Sequence, residues 1–364
     1  MSIQAPARPA TMENKVPPKA SRIRVKVMAT IPSDVLRRQL PDEAPEWGDC
    51  RFSFAPADRD YDWLVVYDDL PAKHGEARRY RQEELACPDS HTLLTTSEPS
   101  SIKHFGNAYV SQFGCVITSQ EKWALPHPER VFSQAGLHWF YGLGRDHITR
   151  FNDMVKHPPQ EKRHDLSMVF SPKRMRHTLH RKRFNFMQDL MRRLPEMHVY
   201  GRGARPLDDK AEALDTYRYH VAVENYIGPH HWTEKLSDAF LGLTLPFYAG
   251  CTNAADYFPP ESFIPIDVRD PAGAARIIRQ AILNGEYEKR LPAIMEARRR
   301  VLFEHNFFAV ISREIEKRHA CLAGTGSRTV IYSRHALRTR KTSQQLRDVY
   351  GKARALAIHL IRRH

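Results

Sequence analysis

The chain has 364 residues, 41% of them hydrophobic, with 56 Lys and Arg against 42 Asp and Glu. That length exceeds one ordinary domain and the apolar content suffices for two cores, which sets aside a disordered or low-complexity chain and makes two domains the expectation. No run reaches the roughly 18 apolar residues of a membrane span, and residues 1–22 lack the apolar centre of a secretion signal, so the cytosol or a membrane face is expected.

Residues 1–22 read as a disordered leader rich in Pro, Ala and Lys. Residues 23–30 (IRVKVMAT), 50–54, 61–67 (YDWLVVY) and 91–96 have the β-branched and aromatic content of strands. Polar stretches between and after them, such as residues 76–85 and 101–110, suit helices, and the alternation predicts a parallel sheet over 23–157. Asp68 and Asp69 follow a strand. Such a pair can hold a divalent cation against a diphosphate, but strand-end Asp pairs are more commonly turn formers, and that reading is preferred. Residues 151–163 are polar and contain Pro158-Pro159, as an interdomain linker would.

The alternation restarts over 165–285. Residues 166–170, 197–200, 219–223, 245–248 and 263–266 read as strands, and 174–194 as a long basic helix. Gly201-Arg202-Gly203 lacks a full dinucleotide fingerprint and reads as a turn. At 217–235 an apolar strand ends in Glu224-Asn225, a Gly/Pro loop follows, and Thr233 caps a helix opening with Glu234 and Lys235. A helix N-terminus beside a lysine favours phosphate, and a carboxylate there suits sugar hydroxyls. His230 and His231 are adjacent, so they cannot form the i, i+4 ligand pair of a helical metal site. The five cysteines (Cys50, Cys87, Cys115, Cys251, Cys321) are odd in number and carry no CxxC pair, so reduced, structural thiols are expected. The fold class is therefore α/β: two Rossmann-like doubly wound domains facing a cleft, with ligands at the carboxyl ends of the strands. Residues 286–320 are helical in spacing and are expected to pack across both domains.

The positive charge is concentrated at the end of the chain, where residues 328–364 hold ten Lys and Arg and one acid, Asp348. Leu346, Val349, Tyr350, Ala353, Leu356, Ala357, Leu360 and Ile361 share one face of a basic amphipathic helix, interrupted by Gly351. Two destinations for that face stay open: an anionic membrane surface, or the protein's own body.

Glu224-Asn225, Thr233-Glu234-Lys235, Pro246, Gly250, Phe258-Pro259, Ser262-Phe263-Ile264 and Asp267 occur in an order that resembles the donor-binding domain of glycosyltransferase family 10, the α-1,3-fucosyltransferases. Lys210, Leu214, Tyr217 and Val199-Tyr200-Gly201 resemble the family's lead-in, and the likeness extends over about 165–308. It implies a GT-B arrangement and an inverting transfer of fucose from GDP-fucose to a glycan hydroxyl, without a metal or other cofactor. It places Arg183, with Leu190 seven residues on, on the pyrophosphate together with Asn225 and Lys235, and Glu234 on ribose or fucose hydroxyls. His231 stands where members often carry Tyr, and Tyr226 where they carry a small polar residue. Glu98, in Ser97-Glu98-Pro99 after a strand, is the implied general base; the alternative for the residue alone is the dipole partner of a following helix.

The expected partners are thus a nucleotide sugar, a glycan acceptor such as lipopolysaccharide, and an anionic membrane surface met by the tail, with no nucleic acid. Competing readings are a relative using another nucleotide sugar, an inactive relative, and, from a different class, a basic binder of anionic surfaces or nucleic acid. The last leaves the ordered motifs unexplained.

Overall fold

The computed structural model describes residues 22–42, 44–72, 81–170, 180–321, 328–340 and 342–362. Its first sheet begins with β1 (Ile23–Ala29), followed by α1 (Ser33–Arg37), β2 (Glu46–Trp47), β3 (Cys50–Ser53), β4 (Trp63–Tyr67), β5 (Gln82–Glu84), β6 (Thr92–Thr95), α2 (Asn107–Val110), β7 (Cys115–Thr118) and β8 (Arg130–Phe132). All but β5 join in the order β2-β3-β1-β4-β6-β7-β8, parallel except for the β2/β3 pair. Every residue of β4, β6 and β7 is buried, as expected of parallel strands covered on both faces.

After α3 (Phe151–Lys156), the second sheet comprises β9 (His164–Phe170), β10 (His198–Gly201), β11 (Tyr217–Gly228), β12 (Leu245–Cys251) and β13 (Ile264–Pro265), all parallel, with α4 (His180–Arg193) and α5 (Glu234–Leu241) between strands. Its order is β10-β9-β11-β12-β13. In each sheet the order of strand addition therefore reverses once, at β1/β4 and at β9/β11, and such switch points open crevices outside the strand carboxyl ends. Asp68 follows β4 at one of them; Asn225, near the end of β11, lies at the other.

Helices α6 (Pro271–Leu283) and α7 (Glu286–Phe303) belong to the second core, where Ile294, Val301 and Leu302 are buried. α8 (Phe307–His319) returns to the first core with Phe307, Phe308, Ile311 and Ile315. Asn306, fully buried at the corner, caps α8 by accepting from Ala309 N–H (2.8 Å) and donates through Nδ2 to the Leu302 carbonyl. Asn306→Ala should therefore lower unfolding free energy by about 2 kcal/mol, from a lost cap and an orphaned buried carbonyl, as read by denaturant titration.

Several expected elements differ. Residues 73–80 lie outside the described set, and in the rest of the helix expected at 76–85, residues 82–84 are strand. β5 pairs antiparallel with β14 (Val330–Tyr332), and its buried Glu83 meets Lys26 Nζ at 2.8 Å and Arg81. That ion pair is non-local, so polarity alone misread the segment. Of the helix expected at 101–110 only Asn107–Val110 forms, because residues 99–103 make a turn on the Pro99 carbonyl and Gly106 takes φ +83°. The linker expected at 151–163 starts as α3, whose Phe151 and Met154 are buried in the second core. Residues 1–21 of the expected leader and 174–179 of the expected basic helix fall outside the described residues. The C-terminal segment continues from β14 through α9 (Arg334–Arg340) to α10 (Thr342–Arg362), and Ile331 and Ala336 are buried in the body.

Candidate functional site

The site starts from a carboxylate that folds back on its own chain. Glu224 is 1% exposed in β11, and its two oxygens accept from Thr233 N–H (2.8 Å) and Thr233 Oγ1 (2.6 Å). This clamp ties the strand end to the first turn of α5, which Thr233 also caps by accepting from Lys235 N–H. Lys235 Nζ then donates to Thr233 Oγ1 and to Glu234 Oε1, both at 3.0 Å, and lies 3.2 Å from Glu224. Burial lowers the Lys235 pKa, but Glu224 and Glu234 outweigh it and hold the ammonium protonated. Burial works to raise the Glu234 pKa, and Lys235 and Lys210 reverse it, holding the side chain firmly as a carboxylate. Lys210 in turn pairs with buried Asp238 at 2.8 Å.

From the other side, the buried Arg183 of α4 donates to Asn225 Oδ1 and to the Val223 carbonyl. Arg183, Lys210, Asn225, Glu234, Lys235 and Asp238 line one cavity of about 210 Å³. Arg183, Lys235 and a helix N-terminus thus converge at the switch point of the second sheet, with Lys210 held by Asp238 beside them, an arrangement that suits a diphosphate. Carboxylates beside them leave acceptors for hydroxyl groups.

Glu98 and His231 do not line that cavity. Glu98 is half-buried after β6, and its pKa is raised, first by burial and then by Asp68; Lys235 works in the opposite direction. Its loop is held from beneath: Asp68, at φ +65°, accepts from Ser97 N–H at 2.8 Å and from Ser97 Oγ, and meets Lys103 at 3.2 Å. Gln120 Nε2 donates to the Glu98 carbonyl at 2.7 Å and to that of Lys103 at 2.9 Å. Asp69 accepts from the N–H groups of Leu70 and Arg334. The Asp68-Asp69 pair is therefore engaged in building loops, as the turn reading expected.

His231 joins the two halves. Its Nδ1 lies 3.0 Å from Ser119 Oγ after β7, its ring meets Tyr226 edge-on, and burial pushes its pKa down to about 4, so it is neutral at pH 7. Tyr226 donates to Glu121 Oε1 at 2.6 Å, and Glu121 Oε2 accepts from Ser100 Oγ at 2.6 Å. Glu224, Lys210, Asp238, Asp68 and Ser119 were not singled out as site residues from sequence. Three of them had a signal there: Glu224 as the residue before Asn225, Lys210 in the family-like lead-in, and Asp68 in the Asp68-Asp69 pair read as a turn former.

The sequence model "Glycosyltransferase family 10 (fucosyltransferase) C-term" matches residues 159–280, which include Arg183, Asn225, His231, Glu234 and Lys235. Among curated proteins, the chain is 32% identical over 104 residues to human 4-galactosyl-N-acetylglucosaminide 3-alpha-L-fucosyltransferase FUT6, covering 27% of this chain and 29% of that one. It is 36% identical over 58 residues to alpha-(1,3)-fucosyltransferase FucT of Helicobacter pylori, covering 16% and 12%. The match thus spans under a third of either relative. Among solved structures, an α1,3-fucosyltransferase with GDP-fucose aligns over 78% of this chain and 85% of its own, at 15% identity and a TM-score of 0.43. A sucrose-phosphate synthase from Thermosynechococcus elongatus aligns over 83% and 100%, at 10% identity and the same score. The likeness to glycosyltransferase family 10, the fucosyltransferase family, is thus to its C-terminal domain and lies over residues 159–280.

Proposed function

We propose that the protein is an inverting fucosyltransferase that moves fucose from GDP-fucose to a glycan hydroxyl without a metal ion. The observation that carries this reading is the convergence of Arg183, Lys235 and the α5 N-terminus on one cavity inside the family-matched segment. In this reading the guanidinium and ammonium bind the diphosphate and stabilise the negative charge that grows on it as the sugar–phosphate bond breaks. Asn225 fixes the guanidinium, and Glu234 accepts from ribose or fucose hydroxyls. Glu98 approaches from the first sheet and takes the proton of the attacking acceptor hydroxyl. Asp68 and Gln120 position the loop that carries it. His231 shapes the donor side from the interface rather than from the cavity wall.

The acceptor we propose is a surface glycan of the lipopolysaccharide type, reached at the cytoplasmic face of a membrane. Its support is the strongly basic segment 328–364. Isothermal titration with GDP, GDP-fucose and UDP, each with and without divalent metal, tests the donor. Binding of GDP and GDP-fucose but not UDP, unchanged by chelator, is the expected result. Silence toward all three would sink the fucosyl-transfer reading in favour of another donor or an inactive relative.

A further inference from the structure

Helix α10 turns its apolar side outward. Leu346, Val349, Tyr350, Leu360 and Ile361 are 59–82% exposed, and Ala353, Leu356 and Ala357 beside them are exposed as well. At 3.6 residues per turn these eight fall within one arc of about 140°. The opposite side docks on the body. Asp348 accepts from Arg338, Ala355 is buried, and His359 Nε2 lies 3.0 Å from Ser100 Oγ, with its ring edge-on to Trp123. Gly351 belongs to this docked side: a Cβ there would stand 2.5 Å from His104 Nε2, which accounts for glycine inside a helix.

We infer that the outer face of α10 is a docking surface for an anionic lipid bilayer. Exposed Arg347 and Arg354 border one edge of the apolar arc and exposed Lys352 the other, so cations sit where lipid headgroups would lie once the apolar residues enter the acyl boundary. The only acid in 328–364, Asp348, is turned inward onto Arg338. A second copy of the same helix is a poor occupant, because pairing two such faces brings together like charges with no exposed acid from the segment to offset them. No helix among the described residues is long and apolar enough to cross a membrane, so the mode is surface seating. Since a helix is about 10 Å across, Ser100 and the Glu98 loop stand within roughly one helix diameter of the lipid plane. This inference goes beyond the transfer reaction and does not depend on it.

The test is co-sedimentation of the full-length protein with vesicles of phosphatidylcholine alone or mixed with phosphatidylglycerol. The wild type should pellet with the mixed vesicles only, and less so as salt rises. The variant Val349→Ser/Leu356→Ser/Leu360→Ser should bind them at least about tenfold more weakly, with GDP titration and melting temperature unchanged. Equal pelleting of variant and wild type, or equal binding to both vesicle types, would overturn the inference. A concentration-dependent wild-type dimer that the variant abolishes would do so too, assigning the face to a second copy.

Discussion

Replacing Lys235 by alanine weakens GDP binding about thirtyfold or more, a loss of roughly 2 kcal/mol, through two separable effects. One is the missing ammonium on the diphosphate. The other is what its removal leaves behind: the Glu224 carboxylate lies 3.2 Å from Lys235 Nζ and Glu234 3.0 Å from it, so in the variant both repel an incoming anion. Glu224 keeps its two bonds to Thr233, which holds the start of α5 in place. Adding Glu234→Gln to Lys235→Ala should therefore recover part of the affinity, about five- to tenfold. Isothermal titration reads both variants. Unchanged GDP affinity in the single variant would remove Lys235 from the donor site. A double variant no better than the single one would show that the ammonium acts by direct contact alone.

What was legible in the sequence was mostly local. The cap at Thr233 and the first turn of α5 follow from neighbouring residues, and the parallel strands follow from runs of buried Val, Leu and Ile. The clamp of Glu224 on Thr233 spans nine residues and was half visible; the Lys210–Asp238 pair spans 28 and the Ser119–His231 bridge 112, and neither leaves a pattern in the chain. β7 and β8 were missed because they are short, with four and three residues, and β7, buried on both sides, shows no alternation to read. The same limit explains α10. Its periodicity gave the apolar arc, but only the contacts of Gly351, Asp348 and His359 say which side meets the protein. Residues 82–84 failed for the opposite reason. A run of polar side chains reads as solvated until a buried partner such as Lys26 is known.

Glu98→Gln should lower kcat by about a hundredfold to ten-thousandfold while leaving GDP affinity unchanged, since the amide keeps the shape of the side chain and cannot accept the acceptor's proton. The pH profile separates this role from a structural one. A base works only when ionised, so turnover falls as pH drops through the Glu98 pKa. Burial first and Asp68 second raise that value, which moves the acidic limb above the ordinary carboxylate range. Asp68→Asn preserves an acceptor for Ser97 N–H but removes the neighbouring negative charge, and it leaves Lys103 without its partner. Both changes favour the Glu98 carboxylate, so the limb should shift to lower pH. Lys235 acts with the other sign, so Lys235→Ala, assayed at saturating donor, should shift it upward. Two substitutions on opposite sides of one carboxylate, moving one limb in opposite directions, would identify Glu98 as the titrating group. A limb that stays fixed in both variants would mean that the proton is taken elsewhere.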